Sequence, residues 1–230
     1  MSATLDYLIG WVNARLDEML PEGVAVEGAV PNMEQELNQA ALFVLRKAPK
    51  QLVYPAAKKI AESTGEVPGK DSLVVLQDKE AGLTSISCPG DYLRFLRLHL
   101  EGWKRPVDQL ASVDDGRYRQ RSNRFYNGNP YKPTAALVPD STTNGHTAIE
   151  AMPGGKVLSL IYVPSRPAAD MPEILHDPMV WMTAARAFTI LREPNLSKVA
   201  MSNMQLAMDQ LLIGLQGEER PIAPANARRQ

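Results

Sequence analysis

The chain has 230 residues, 44% of them hydrophobic and 22% charged, with a formal net charge of −1. That is enough apolar material for one substantial core, too little net charge for a general polyanion binder, and too apolar a balance for a disordered chain. The single cysteine, Cys88, leaves no partner for an intrachain disulfide and no cysteine cluster for a structural metal, which points to a reducing compartment.

No basic leader precedes Leu5, and Asp6, Asn13 and Arg15 interrupt the apolar residues that follow, so a signal peptide is not expected. No run approaches the roughly 18 apolar residues that a membrane-spanning helix needs. The 18 prolines are about 8% of the chain, above the roughly 5% of ordinary soluble proteins, so short, punctuated helices are expected.

Leu5, Leu8, Ile9, Val12, Leu16 and Met19 share one helical stripe, and Pro21 ends this first helix. A second helix is expected after Pro31, with Asn32 as N-cap and Leu37, Leu42, Val44 and Leu45 as apolar positions. Pro49 and Pro55 bracket Lys50 to Tyr54, and Ala56 to Glu62 is expected to add a further turn or two of helix. Two short strands then follow, Leu73 to Gln77 and Leu83 to Ser87.

Phe95 to Leu100 alternates Phe95, Arg97 and His99 against Leu96, Leu98 and Leu100, as a half-buried strand does. Glu101 and Gly102 form the turn, and Trp103 to Val107 is expected to return as the partner strand, with Pro106 at its end or edge. Ser112 to Tyr126 reads as a basic helix carrying Arg117, Arg119, Arg121 and Arg124. Ala135 to Val138 is a brief strand. Thr147 to Ala151 and Val157 to Val163 are expected to form a second hairpin around Met152, Pro153, Gly154 and Gly155.

Helices resume with Pro178 in the first turn of one that runs to Leu191, and Pro194 opens the link to a last helix, Ser197 to Leu215. That helix is expected to bury Met201, Met204, Met208, Leu211, Leu212 and Leu215. The fold class expected is therefore mainly α with β-hairpin insertions (α+β), a helical bundle of N- and C-terminal helices from which β elements project. It forms one domain, 1–216, with the bundle at 1–66 and 173–216, the β/helix insertion at 70–165, and a polar tail at 217–230.

Tests for chemistry return little. Gly65, Gly69, Lys70 and Ser72 have the wrong spacing for a phosphate-binding loop. His99, His146 and His176 fall in separate elements, and Cys88 has no basic neighbour in sequence to activate it. Asp114 and Asp115 complement the start of a helix better than they make an acid/base pair. Trp103, Tyr92, Tyr126 and Tyr131 are better read as packing than as a ligand box. Neither an enzyme nor a cofactor is expected. Methionines 201, 204 and 208 form a core stripe that also suits a surface adapting to unequal partners.

The run Ala48 to Ala57 (APKQLVYPAA), followed by Pro89 to Val107 (PGDYLRFLRLHLEGWKRPV) and the hairpin region ending at Pro164, resembles head-to-tail connector or adaptor proteins of tailed bacteriophages, including crAss-like and other short-tailed phages. The resemblance rests on Pro89, Asp91, Tyr92, Leu93 and Arg94, then on Trp103, Arg105, Pro106 and Val107, and follows the element order from about Met33 to Leu212. It implies a helical bundle with β insertions in a ring, commonly of twelve copies, that sits below the portal protein, meets tail or further ring proteins, and extends the channel. Genomic DNA would pass through without specific binding, and no membrane is involved. The place implied is the virion's head–tail junction, with assembly in the host bacterial cytoplasm.

Charge is divided along the chain. Residues 1–40 carry seven acidic side chains (Asp6, Asp17, Glu18, Glu22, Glu27, Glu34 and Glu36) against Arg15 alone, while residues 94–124 carry eight basic and four acidic. An acidic edge of one copy against a basic edge of the next is a heterologous contact, the kind that closes rings. The interface residues expected on these grounds are Arg94, Arg97, Arg117, Arg121, Arg124, Asp17, Glu18, Glu34, Trp103, Met204 and Met208. Pro221, Arg228 and Arg229 join them from a tail expected to dock on a neighbouring subunit or portal. The competing reading is a nucleic-acid-binding module that uses the basic helix 112–126, on which Arg117, Arg121 and Arg124 share one face.

Overall fold

The computed structural model describes residues 5–20, 30, 32–61, 75–78, 82–119, 128–139 and 147–218. The fold is mixed α+β, with helices and two antiparallel sheets in two compact units. One unit comprises Met1–Pro55 with Arg166–Gln230, and the other, Ala56–Ser165, is inserted between them. The chain thus leaves the helical unit at Pro55, earlier than the expected boundary at residue 66.

The helical unit holds α1 (Leu5–Met19), α2 (Met33–Lys47), the single turn α3 (Lys50–Val53), α5 (His176–Ile190) and α6 (Pro194–Glu218). Its centre is α5, where Met179, Val180, Thr183, Ala184, Ala187 and Phe188 are all buried, so the helix is enclosed on most sides. Leu8, Val12 and Leu16 of α1 and Leu37, Ala41, Val44 and Leu45 of α2 supply buried faces, and α1, α2 and α6 each pack on α5. The bundle is therefore organised around α5 and not around a pairing of the first and last helices.

Several buried hydroxyls in this unit are matched within it. The Thr183 hydroxyl donates to Met179 O at 2.8 Å, and Ser197 Oγ donates to Ala185 O at 2.8 Å, joining α6 to α5. Asn32 precedes α2 in the left-handed region (φ 62°) and caps it through its backbone carbonyl, which accepts from Gln35 N at 2.9 Å, with no side-chain capping bond. Arg192, also left-handed (φ 62°), ends α5, and Glu193 N reaches back to Phe188 O at 2.8 Å. Pro194 is the first residue of α6 and not part of a linker, because its missing N–H has no partner to lose there.

The inserted unit pairs β1 (Lys58–Ala61), β7 (Val157–Pro164) and β4 (Tyr92–Leu100) in one sheet, in the order β1-β7-β4. β2 (Val75–Asp78), β3 (Leu83–Ser87), β6 (Thr147–Met152) and β5 (Thr134–Pro139) form the second, in the order β2-β3-β6-β5. Ile86, Phe95, Leu98, Leu100, Ile149, Leu160 and Tyr162 belong to one buried cluster, so both sheets share a core. The short α4 (Gly116–Arg119) packs on β5, with Tyr118 buried against Ala136 and Met152 and its hydroxyl donating to Glu150 Oε2 at 2.5 Å.

Several expectations are corrected here. Lys58–Ala61 is a strand and not helix, because pairing with β7 from Lys58↔Tyr162 to Ala61↔Ser159 outweighs the helical leaning of its Ala and Lys residues. β4 pairs with β7, and the segment from Trp103 to Val107 returns only as one bridge, Leu98↔Val107. Pro106, which has no N–H to donate, stops the ladder there.

Register shifts within β4 also change its faces. An irregularity between Phe95 and Arg97 puts Phe95 in the same core cluster as Leu98 and Leu100, while Leu96 is buried apart from it. Lastly, β6 and β7 are not a hairpin, since each pairs in a different sheet. The turn between them is wedged against other backbone: a Cβ on Gly154 would lie 2.8 Å from Leu83 C, and one on Gly155 2.6 Å from Glu101 O. Only glycines let the chain cross from one sheet to the other there.

Candidate subunit interface

Of the basic side chains expected to face a partner, Arg97 is neutralised within the chain, and so is Arg119 of the expected basic helix. Arg97 Nε donates to Asp108 Oδ1 at 2.7 Å, and Arg119 pairs with Asp114, also at 2.7 Å. Lys58 Nζ meets Asp91 Oδ2 at 2.6 Å, and the Tyr162 hydroxyl donates to Asp91 Oδ1 at 2.9 Å. Burial alone would raise the Asp91 pKa, but these two donors outweigh it and hold the carboxyl below the usual value. Arg94 is half-buried, and its burial draws the guanidinium below the ordinary arginine value.

Arg117 lies in α4, whose helical backbone begins at Gly116 and not at Ser112, because Ser112 to Asp115 form a turn closed by Asp115 N donating to Ser112 O at 2.9 Å. Arg121, Arg124, Pro221, Arg228 and Arg229 lie outside the described residues, as do residues 120–126 of the expected basic helix, His146 and the Gly65–Ser72 segment.

Exposed cations without an ion pair among the described residues include Arg46, Lys47, Lys59, Arg192 and Lys198, and three more fall together in two turns of the sheet unit. Lys104, Arg105 and Lys132 are exposed, and among the described residues none of them makes an ion pair. The signal available was only composition: two adjacent cations beside Trp103 and one beside Tyr131.

The acidic side is less compensated. Asp6, Asp17 and Glu34 are exposed, and none makes an ion pair among the described residues, whereas Glu18 pairs with Arg15 at 3.0 Å and Glu36 with Arg186 at 2.5 Å. Arg15 also lies 4.7 Å from the Trp181 ring centroid and 3.8 Å from Asp177.

The apolar surface differs from expectation too. Met204 and Met208 are buried in α6 together with Ala200 and Ala207, so those two methionines belong to the chain's own core. Met201 is exposed instead. Along the outer side of α6, Val199, Leu206 and Ile213 stand 49%, 55% and 69% exposed at a seven-residue spacing, which aligns them in one row. Trp103 is buried, Tyr92 stacks on Tyr162 with centroids 5.9 Å apart, and Tyr131 is exposed.

Among the described residues no group of His, Cys, Asp and Glu is placed to hold a metal, and no helix is long and apolar enough to cross a membrane. His99 contacts Trp103 O at 3.2 Å and buried His176 contacts Met171 O at 3.0 Å. Cys88 is buried. A cleft of about 250 Å³ lined by Gln77, Asp78, Leu83, Thr84, Gly154 and Gly155 holds one carboxylate and no His or Cys. The chain matches no protein-family model and no curated protein sequence.

Proposed function

We propose that the chain is a structural virion subunit that assembles into a ring below the portal, joins phage head to tail and extends the DNA channel. The observation that carries this reading is the apolar row on α6. A helix of 25 residues, about 37 Å long, presents Val199, Leu206 and Ile213 to solvent on the side away from Ala200, Met204 and Ala207. Covering the part of each side chain that is still exposed contributes on the order of 1 kcal/mol, which favours association between copies or with a neighbouring ring.

Two further features support it. The divided charge suits head-to-tail contacts, and the residues from Pro89 to Val107 that resemble portal-adjacent adaptors are built into the sheet unit, with Phe95, Trp103 and Val107 buried. The test is electron microscopy of the full chain, alone and mixed with its cognate portal. Rings with cyclic symmetry coaxial with the portal support the reading; absence of any complex in either sample contradicts it.

A further inference from the structure

We infer that the loop end of the sheet unit bearing Lys104, Arg105 and Lys132 docks on the outer acidic face of α1 in a second copy of this chain. The inference rests on the ring reading above and names which surfaces meet.

Two turns hold the cations together. Trp103 anchors the first, because its ring is buried and its Nε1 donates to Pro153 O at 2.7 Å. Lys104 N then donates to Pro130 O at 2.9 Å, which ties this turn to the second. The second is closed by Lys132 N donating to Asn129 O at 2.8 Å and by Tyr131 N donating to Asn129 Oδ1 at 2.9 Å. Three ammonium and guanidinium groups thus project from braced backbone, beside a tyrosine that is 65% exposed. The nearby Arg97, by contrast, is consumed by Asp108.

The complementary face is on α1. Asp6 and Asp17 are eleven residues apart, which returns them to nearly the same rotational position about 16 Å apart along the axis. Both point away from buried Leu8, Val12 and Leu16. Between them lie Gly10, where an added Cβ would meet nothing within 4 Å, and exposed Ala14, so the surface between the carboxylates is low and open.

A second copy fits this patch better than nucleic acid does. Three cations displace at most about three counterions from a duplex, which gives weak, salt-sensitive binding. The acidic α1 face that the same chain carries would repel phosphates, yet in a homo-oligomer it comes in equal number with the basic patch. Two different surfaces on one chain that complement each other give a heterologous contact, which repeats until it closes. Exposed pairs are individually weak, so the patch sets register and encounter while the α6 row supplies adhesion.

The experiment compares K104E/R105E/K132E, D6K/D17K and the chain carrying all five changes, by light scattering at low and moderate salt with thermal melts as a folding control. Each partial reversal should weaken assembly about tenfold or more at low salt, and the five-fold variant should recover it. Rings that form normally from both partial variants, or no recovery in the combined one with melts unchanged, overturn the inference while leaving the ring intact. A wild-type chain that is monomeric with and without portal overturns both. Binding of a DNA duplex that is lost in K104E/R105E/K132E while assembly is unchanged assigns the patch to nucleic acid instead.

Discussion

Trp103 and Pro153 are joined by an indole N–H donated to a carbonyl oxygen at 2.7 Å across fifty residues of sequence. The bond clamps the turn after β4 to the turn where the chain passes from one sheet to the other. Removing the ring should be costly: Trp103→Ala is expected to lose about 3–5 kcal/mol. Trp103→Phe keeps most of the apolar bulk but orphans the Pro153 carbonyl, at about 1–3 kcal/mol. Urea denaturation of both variants checks the order, and a Trp103→Phe variant as stable as the parent chain would mean that the hydrogen bond contributes nothing.

Two glycines should respond in opposite directions. Gly155→Ala forces a Cβ to 2.6 Å from Glu101 O, a backbone atom that cannot swing aside, and should cost about 1–3 kcal/mol. Gly10→Ala, in the interior of α1 with open space around it, should add about 0.5–1 kcal/mol. Differential scanning calorimetry of the pair reads both signs.

Asp177 gives a pH dependence of defined sign. Burial raises its pKa, and Arg15, 3.8 Å away, only partly offsets this; one carboxyl oxygen is buried without a hydrogen-bond partner although the side chain as a whole is 39% exposed. In the window from the raised native value down to the ordinary 3.8, the folded state holds more protons than the unfolded, so this group's contribution to stability improves as pH falls. Asp177→Asn should therefore raise the thermal midpoint at pH 7, and the gain should shrink toward pH 4. A gain that is constant with pH would exclude the titration of Asp177 as its cause.

The α6 row predicts a separation of folding from assembly. Leu206→Ser with Ile213→Ser should leave the melting transition within about 0.5 kcal/mol per site, because both side chains are already exposed. The same double variant should lose self-association measured by sedimentation. Unchanged association would remove α6 from the interface.

The sequence was most readable where one face decides the element. Leu8, Val12 and Leu16, and the strand Leu83–Ser87, were visible from periodicity because one side of each is buried. Pairing was not visible. The Gly154–Gly155 signal announced a turn, but whether two arms pair with each other or with distant strands depends on contacts such as Lys58↔Tyr162, about a hundred residues apart. Helix α6 misled because it is apolar on more than one side: the small residues Ala200 and Ala207 mark the packed face, while the larger Leu206 faces solvent. The free charge of the surface was hidden by compensation. Arg97 and Arg119 looked available until Asp108 and Asp114 took them, and Lys104, Arg105 and Lys132 lay in turns braced by backbone bonds that no periodicity reveals.

The most direct test is the mass of the full chain by size-exclusion chromatography with light scattering, alone and with its cognate portal protein. A ring subunit should appear as a closed multiple of the 25.3 kDa protomer in at least one of the two samples, stable on dilution and weakened by salt. A single species at the protomer mass in both samples, at every concentration tried, would contradict the proposed function.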